Sequence, residues 1–201
     1  MHAWAKPLVW LACGVPASWL LLQGFTNQLG ANPAEALLRG LGDWTLRLLC
    51  LTLLITPLRQ SLGLTAVARW RRTLGVWTFV HALLHALAYA WLDMGWVLDD
   101  VLADLVKRPF ITVGFVALLL LLPLAATSFN RAVKALGSAR WQRLHRTVYA
   151  VAVLALLHFY WMRAGKNNFT EVHVYTAILL ALGGWRVAWW VRKRRARVPH
   201  S

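Results

Sequence analysis

Acidic residues are scarce in this 201-residue chain, which has 7 Asp and Glu against 22 Lys and Arg. Charged residues make up only 14% of the chain, and apolar residues make up 59%. A soluble domain of this size carries more charge, so the composition predicts a membrane protein. The basic excess does not indicate nucleic-acid binding, because these residues lie between apolar runs and not on a soluble amphipathic face.

Cysteine is also rare, and dinucleotide-binding motifs are missing. Cys13 and Cys50 both lie inside apolar runs, so the sequence predicts neither a disulfide framework nor a cysteine metal motif. No G-x-G-x-x-G follows a strand pattern, and the last apolar run lies about ten residues from the final residue. We therefore expect no NAD(P)H-binding domain within this chain.

What the sequence does contain is a series of apolar runs, each near the length of about 20 residues that crosses a bilayer as a helix. The first run is longer and richer in Trp and Leu than the core of a cleavable signal peptide, so it is read as a membrane span. The links are short, which predicts an all-α membrane helix bundle forming a single domain over residues 1–201. The predicted spans are 7–25, 43–58, 74–92, 110–127, 146–161 and 172–191.

Basic and acidic residues alternate from one link to the next. The links after the second and fourth spans and the C-terminal tail are rich in Arg and Lys, whereas all seven acids lie in or near the other links. An excess of Lys and Arg marks the cytoplasmic side of a membrane. Six spans with this pattern place both termini in the cytoplasm and the acidic links outside.

Four histidines occur in or at the ends of two of the spans, where ionisable side chains are rare and usually functional. His81 and His85 lie in the third span, and His145 and His158 lie near the start and end of the fifth. Thirteen helical residues separate His145 from His158 by about 19.5 Å and about 140°. These two histidines therefore cannot bind one compact centre together.

Depth in the membrane predicts a different pairing. Measured from Arg72 and Arg143, His85 and His158 lie at depths of about 19.5 and 22.5 Å, which match within about 3 Å. One haem iron takes a single imidazole from each of two helices, so His85 and His158 are the expected axial ligands. A structural zinc is not expected, because no cysteine or carboxylate lies beside these histidines.

The other histidines leave alternatives open. His145, near the cytoplasmic surface, could ligate a second haem, bind a quinone or flavin, or cap its helix. His81 could be an alternative ligand, a donor to a ligand, or a residue that hydrogen-bonds between helices. His2, His173 and His200 lie at or beyond span ends, and we expect no ligand role for them.

Several blocks of this sequence resemble the MsrQ family (formerly YedZ) of the ferric-reductase-like transmembrane group, and the resemblance covers almost the whole chain. No block is specific alone, but their order and spacing are. The blocks are TLLITPLR (52–59), RRTLGVWTFVHALLHALAY (71–89), KRPFITVGFVALLLLLPLAATS (107–128) and RWQRLHRTVYAVAVLALLHFYW (140–161).

The resemblance implies a b-type haem subunit of the bacterial inner membrane that also binds FMN. It implies electron transfer from quinol or a cytoplasmic flavin reductase to MsrP, a periplasmic molybdopterin subunit that reduces methionine sulfoxide in oxidised proteins. The functional histidines of the family correspond to His85, His145 and His158. A basic pair, Arg71 and Arg72, could bind a flavin phosphate or an anionic donor, or could serve only to set the topology.

One alternative is a structural membrane scaffold, whose histidine variants would leave any partner fully active, and two rivals with chemistry of their own also remain open at this point. One is another transmembrane haem protein, such as a ferric or quinone reductase, and its electron acceptor would distinguish it. The other is a haem-free proton-coupled transporter with His81 and His85 as a relay. Such transporters usually have internal repeats and buried carboxylates, which are not apparent in this sequence.

Overall fold

The computed structural model describes residues 5–165 and 167–196, and those residues form eight α-helices and no strand. Six segments are long and apolar enough to cross a membrane, so the predicted all-α, multi-pass architecture is confirmed. His2 and His200 lie outside the described residues. The helices are α1 (Ala5–Phe25), α2 (Pro33–Ser61), α3 (Trp70–Leu92), α4 (Leu98–Lys107), α5 (Pro109–Ala126), α6 (Asn130–His145), α7 (Val148–Ala164) and α8 (Thr170–Arg195), with a 3₁₀ turn at Thr65–Arg69.

The second span is much longer than its predicted 43–58. Helix α2 begins at Pro33, and the Asn32 side chain caps it by accepting a hydrogen bond from the Glu35 N–H at 3.2 Å. Charged residues in the first turns hid this start from a hydropathy reading. Glu35 and Arg39 neutralise each other across one helical turn at 2.6 Å, so the helix continues through them.

Two links that were expected to be short and irregular are helical instead. Helix α4 occupies the link between α3 and α5, and α6 occupies the link between α5 and α7. The fifth span was predicted at 146–161, but α7 covers Val148–Ala164 and His145 is the last residue of α6. His145 thus belongs to α6, the helix that precedes the fifth span. Helix α6 is itself interrupted at Gly137, where φ is 72°.

Helix α2 forms the centre of the bundle and contributes more buried residues than any other described helix. It packs along α3, and α5 packs along α7. The main core joins leucines of α2, such as Leu49 and Leu53, to Val151 and Phe159 of α7. These contacts place one histidine-bearing helix, α3, against α2, and the other, α7, against α5.

The bundle has two chemically different ends. We call the end that carries the α2–α3 and α5–α7 links the basic end, and the opposite end the acidic end. All seven acids lie in the links or helix halves of the acidic end. Cys13 and Cys50 are buried and free, as their apolar surroundings predicted.

Candidate functional site

His85 of α3 and His158 of α7 face each other inside the bundle. Their ring centres are 6.1 Å apart, and the ring planes are nearly perpendicular, at 79°. Both side chains are partly buried between helices. The fold therefore brings together the two histidines that were paired by depth.

A backbone carbonyl holds each ring by its Nδ1 atom. His85 Nδ1 lies 2.9 Å from the Leu38 carbonyl oxygen, and His158 Nδ1 lies 2.7 Å from that of Phe110. A carbonyl oxygen only accepts, so each Nδ1 carries the hydrogen and donates it. Each Nε2 is then left with a free lone pair, which is the form of imidazole that binds a metal.

Glycines make room for both rings. A Cβ at Gly114 of α5 would lie 2.7 Å from His158 Nδ1, and a Cβ at Gly42 of α2 would lie 3.3 Å from His85 Cε1. Any larger residue would push the rings away from their carbonyl partners. Each imidazole thus packs against a glycine of a neighbouring helix.

The distance between the two ring centres, 6.1 Å, matches that of two imidazoles holding one metal. A metal–imidazole bond is about 2 Å long, so a metal between two facing imidazoles separates their ring centres by roughly 6 Å. Among the described residues, no group of three or more His, Cys, Asp or Glu side chains could hold a metal ion. The pair therefore suits a cofactor that brings its own equatorial ligands, as haem does, and not a protein-bound zinc.

His145 lies apart from this pair, in a pocket of about 320 Å³ at the basic end. Its ring stacks on Trp141 at 3.9 Å, and its Nε2 lies 3.0 Å from the Thr127 hydroxyl. Trp141 Nε1 donates to the Thr127 carbonyl at 3.0 Å, which holds the stacked ring in place. The volume is within the range of about 300–1,000 Å³ that small-molecule sites occupy.

Positive charge surrounds this pocket. Arg59, Arg71 and Arg72 line it together with hydroxyl groups of Thr and Ser residues. No carboxylate is among the described lining residues, and Arg72 is held by a neutral partner, Asn130, at 2.8 Å. Such a pocket can hold an anionic or hydroxyl-bearing small molecule.

Comparison with known proteins places the chain in a family. The model of the ferric reductase like transmembrane component matches residues 41–156. Relatives named protein-methionine-sulfoxide reductase heme-binding subunit MsrQ occur in several bacteria. The relative in Polaromonas naphthalenivorans is 55% identical over 97% of this chain and 90% of its own length. The relatives in Ralstonia nicotianae and Caulobacter vibrioides are 49% and 43% identical, over 91% and 94% of this chain and 84% and 88% of their own lengths.

This chain belongs to the MsrQ family. No solved structure matches it. The matched ferric-reductase region contains His85 and His145, and the similarity to MsrQ relatives extends over most of the chain, beyond that region. Family membership therefore agrees with the multi-pass helical bundle, and the geometry above describes how an MsrQ-family chain arranges its histidines.

His81 does not join the histidine pair. It is fully buried, and its Nδ1 bonds the Trp77 carbonyl of its own helix at 2.9 Å. Its Nε2 has no hydrogen-bond partner among the described residues. In this MsrQ-family chain His81 therefore lies within α3 without contacting a second helix through a hydrogen bond.

Sequence reasoning missed Arg186 of α8, although a charge inside a span is itself a signal. Pro57 has no N–H, so the Leu53 carbonyl one turn earlier loses its helical partner. Arg186 Nη2 donates to that carbonyl, while Nε donates to the Tyr149 hydroxyl at 3.2 Å. Arg186 thus stabilises the proline-interrupted wall of the basic-end pocket, which Leu53 lines.

Sequence reasoning also missed polar contacts at the acidic end. Arg163 of α7 forms an ion pair with Glu171 of α8. The Nε of Arg47 in α2 donates to the Tyr175 hydroxyl of α8 at 3.3 Å. Asp104 joins α3 and α5 through Tyr89 and Arg108. Only spacing of opposite charges along one helix could have suggested any of these contacts.

Proposed function

We propose that this chain is the haem-binding, electron-transferring membrane subunit of a protein-methionine-sulfoxide reductase system. Its relatives are named as heme-binding subunits of a protein-methionine-sulfoxide reductase. The facing of His85 and His158 is the structural observation that supports it most directly. The subunit has no complete active site of its own and supplies electrons to a partner, the periplasmic molybdopterin subunit MsrP, which repairs oxidised proteins.

His85 and His158 would hold the haem iron through their Nε2 atoms. The carbonyls of Leu38 and Phe110 hold both rings in the tautomer that this requires. The haem would be b-type, as the family resemblance implies, and the sequence contains no C-x-x-C-H for covalent attachment. When bound, haem would supply a carrier that gains and loses one electron at a time, and the imidazoles of His85 and His158 and the apolar surroundings would tune its potential.

The basic-end pocket would receive the electron donor. Arg71 and Arg72 would bind an anionic group such as the phosphate of FMN, and Trp141 and His145 offer stacked rings for a flat ring system. FMN reduced by a cytoplasmic flavin reductase, or a membrane quinol, would fit this chemistry. His145 remains a candidate ligand for a second haem, which its Nε2, now 3.0 Å from the Thr127 hydroxyl, would hold.

The distribution of basic residues between the two ends supports a direction for electron transfer across the membrane. The basic end carries the Lys and Arg excess that marks the cytoplasmic side, so both termini would be cytoplasmic and the acidic end periplasmic. The chain would then be a single ferric-reductase-like domain, residues 1–201, in the bacterial inner membrane. Electrons would enter at the basic end and leave at the acidic end, nearer the histidine pair.

The proposal is tested by finding which electron acceptor reoxidises the reduced haem. The purified subunit in lipid vesicles is reduced chemically, and the haem absorbance is followed after addition of the molybdopterin subunit with a protein containing methionine sulfoxide. We expect reoxidation only when both are present, and none when either the molybdopterin subunit or the oxidised protein is left out. Reoxidation by a ferric chelate, but not by the reductase and its substrate, would assign the chain to a ferric-reductase function instead.

A further inference from the structure

One carboxylate connects the two helices that support the histidine pair. Asp104 lies on α4, the short helix at the acidic end. The Tyr89 hydroxyl of α3 donates to Asp104 Oδ2 at 2.5 Å. Arg108, which precedes α5, donates from Nε to Asp104 Oδ1 at 2.6 Å and forms a second bond from Nη2 to Oδ2. The side chain of Asp104 is only 14% exposed, whereas that of Arg108 is 40% exposed.

Tyr89 links Asp104 to the first ligand. It lies four residues after His85 on α3, which is about one helical turn and about 6 Å along the axis. Both side chains therefore lie on nearly the same face of α3. A hydrogen bond that fixes Tyr89 also fixes the rotation and axial position of α3 at His85.

Arg108 links Asp104 to the second ligand. Its guanidinium lies 5.8 Å from the centre of the Phe110 ring. The Phe110 ring lies 6.0 Å from that of His158, and its carbonyl accepts the His158 Nδ1 hydrogen at 2.7 Å. The start of α5 thus orients the His158 ring, and the bonds between Arg108 and Asp104 hold that start against α4.

The other acids of α4 make no such connection. Asp99 and Asp100 are exposed in the first turn of the same helix. They carry the same charge near the same end of the bundle, but within the described residues neither forms a hydrogen bond or ion pair with α3 or α5. Replacing Asp99 therefore serves as a control, because it removes the same charge from α4 without removing bonds to α3 or α5.

We propose that Asp104 is a positioning residue for the histidine pair: by binding Tyr89 and Arg108 at once, it sets the relative orientation of His85 and His158. This inference rests on the proposed function, since the pair is assigned there as the haem ligands. Groups that orient metal-binding imidazoles commonly change metal affinity by about 10–100-fold when they are replaced.

Four purified variants test the proposal: Asp104→Asn, Asp99→Asn, Tyr89→Phe and Asp104→Glu. Haem loss to excess apomyoglobin and the low-temperature EPR spectrum of the oxidised haem are measured for each. We expect Asp104→Asn to lose haem about tenfold faster and to show changed EPR g values. Tyr89→Phe should also lose haem faster than the parent, but by a smaller factor. Asp104→Glu should lose haem more slowly than Asp104→Asn, and Asp99→Asn should match the parent in both measurements.

Two outcomes overturn the proposal. In one, Asp104→Asn and Tyr89→Phe both match the parent in haem loss and EPR spectrum. In the other, Asp99→Asn changes both as much as Asp104→Asn, which means that charge alone acts. If Asp104→Asn does not fold, Tyr89→Phe, which keeps the Arg108 bonds, decides the matter. Failure of the proposed function looks different: the parent itself would contain no haem, or would keep it without His85 and His158.

Discussion

The Nδ1 atom of His158 donates to the carbonyl of Phe110 at 2.7 Å, and a Cβ at Gly114, one turn further along α5, would lie 2.7 Å from the same Nδ1. The α5 backbone therefore both holds this ring and leaves space for it. The orientation of His158 depends on α5 as much as on α7, which carries it.

Gly114→Ala should weaken haem binding more than Gly42→Ala. The added methyl group at Gly114 would displace the His158 ring, whereas at Gly42 the contact with His85 Cε1 is looser, at 3.3 Å. Overpacking of this kind costs about 1–3 kcal/mol, or roughly 5–150-fold in haem affinity. Haem titration of the apoprotein measures it, and Gly183→Ala in α8, where a Cβ meets nothing within 4 Å, is the control.

Replacing both Arg71 and Arg72 by Gln should slow reduction from the donor side without lowering haem content. The two arginines line the basic-end pocket and lie far along α3 from His85. A hydrogen bond to a charged group contributes about 1.5–3 kcal/mol, so FMN affinity should fall at least about tenfold. Fluorescence titration with FMN measures it. Arg131→Gln, an exposed change outside the pocket, should have no effect, and equal loss in that variant would contradict a specific anion site.

Arg186→Gln should destabilise the bundle because it leaves the Leu53 carbonyl without its donor. The cost of an unsatisfied buried carbonyl is about 1–3 kcal/mol. Pro57→Ala restores an N–H in α2 that can bond this carbonyl, so the same Arg186 change should cost less in that background. Thermal unfolding in detergent of the two single variants and the double variant measures the coupling. Equal cost in both backgrounds would mean that Arg186 acts through Tyr149 or its charge alone.

Helix α4 should stay attached to the bundle at neutral and mildly acidic pH and loosen only in strong acid. Hydrogen bonds from Arg108 hold the pKa of Asp104 below its ordinary value of 3.8. A lowered pKa stabilises the folded state above the ordinary pKa, and the contribution is lost as the pH falls through the lowered value. Hydrogen exchange of α4 amides against pH measures this. Asp104→Asn should remove the pH dependence, and Asp99→Asn should not.

The spans were predictable because each needs only a long apolar run, and the pairing of His85 with His158 followed from helical rise alone. The true start of α2 was not predictable from hydropathy, because the ion pair of Glu35 with Arg39 makes charged turns compatible with a continuous helix. Helix α6 was missed because it is polar, and this moved His145 out of the fifth span.

Contacts between side chains that are distant in the sequence could not be predicted from it. Arg186 reads as one more basic residue until the fold places it against the carbonyl that Pro57 leaves free. Asp104 reads as one of several acids in a link, and only the docking of α4 on α3 and α5 distinguishes it from Asp99. Such roles depend on which helices become neighbours, and a single sequence carries that information weakly.

Haem content in histidine variants tests the central claim most directly. The parent, His85→Ala, His158→Ala and the control His173→Ala are purified in detergent, and the Soret absorbance is measured against protein concentration. We predict that the parent and His173→Ala contain equal haem and that His85→Ala and His158→Ala each lose most of it. Normal haem content in both His85→Ala and His158→Ala would contradict the account.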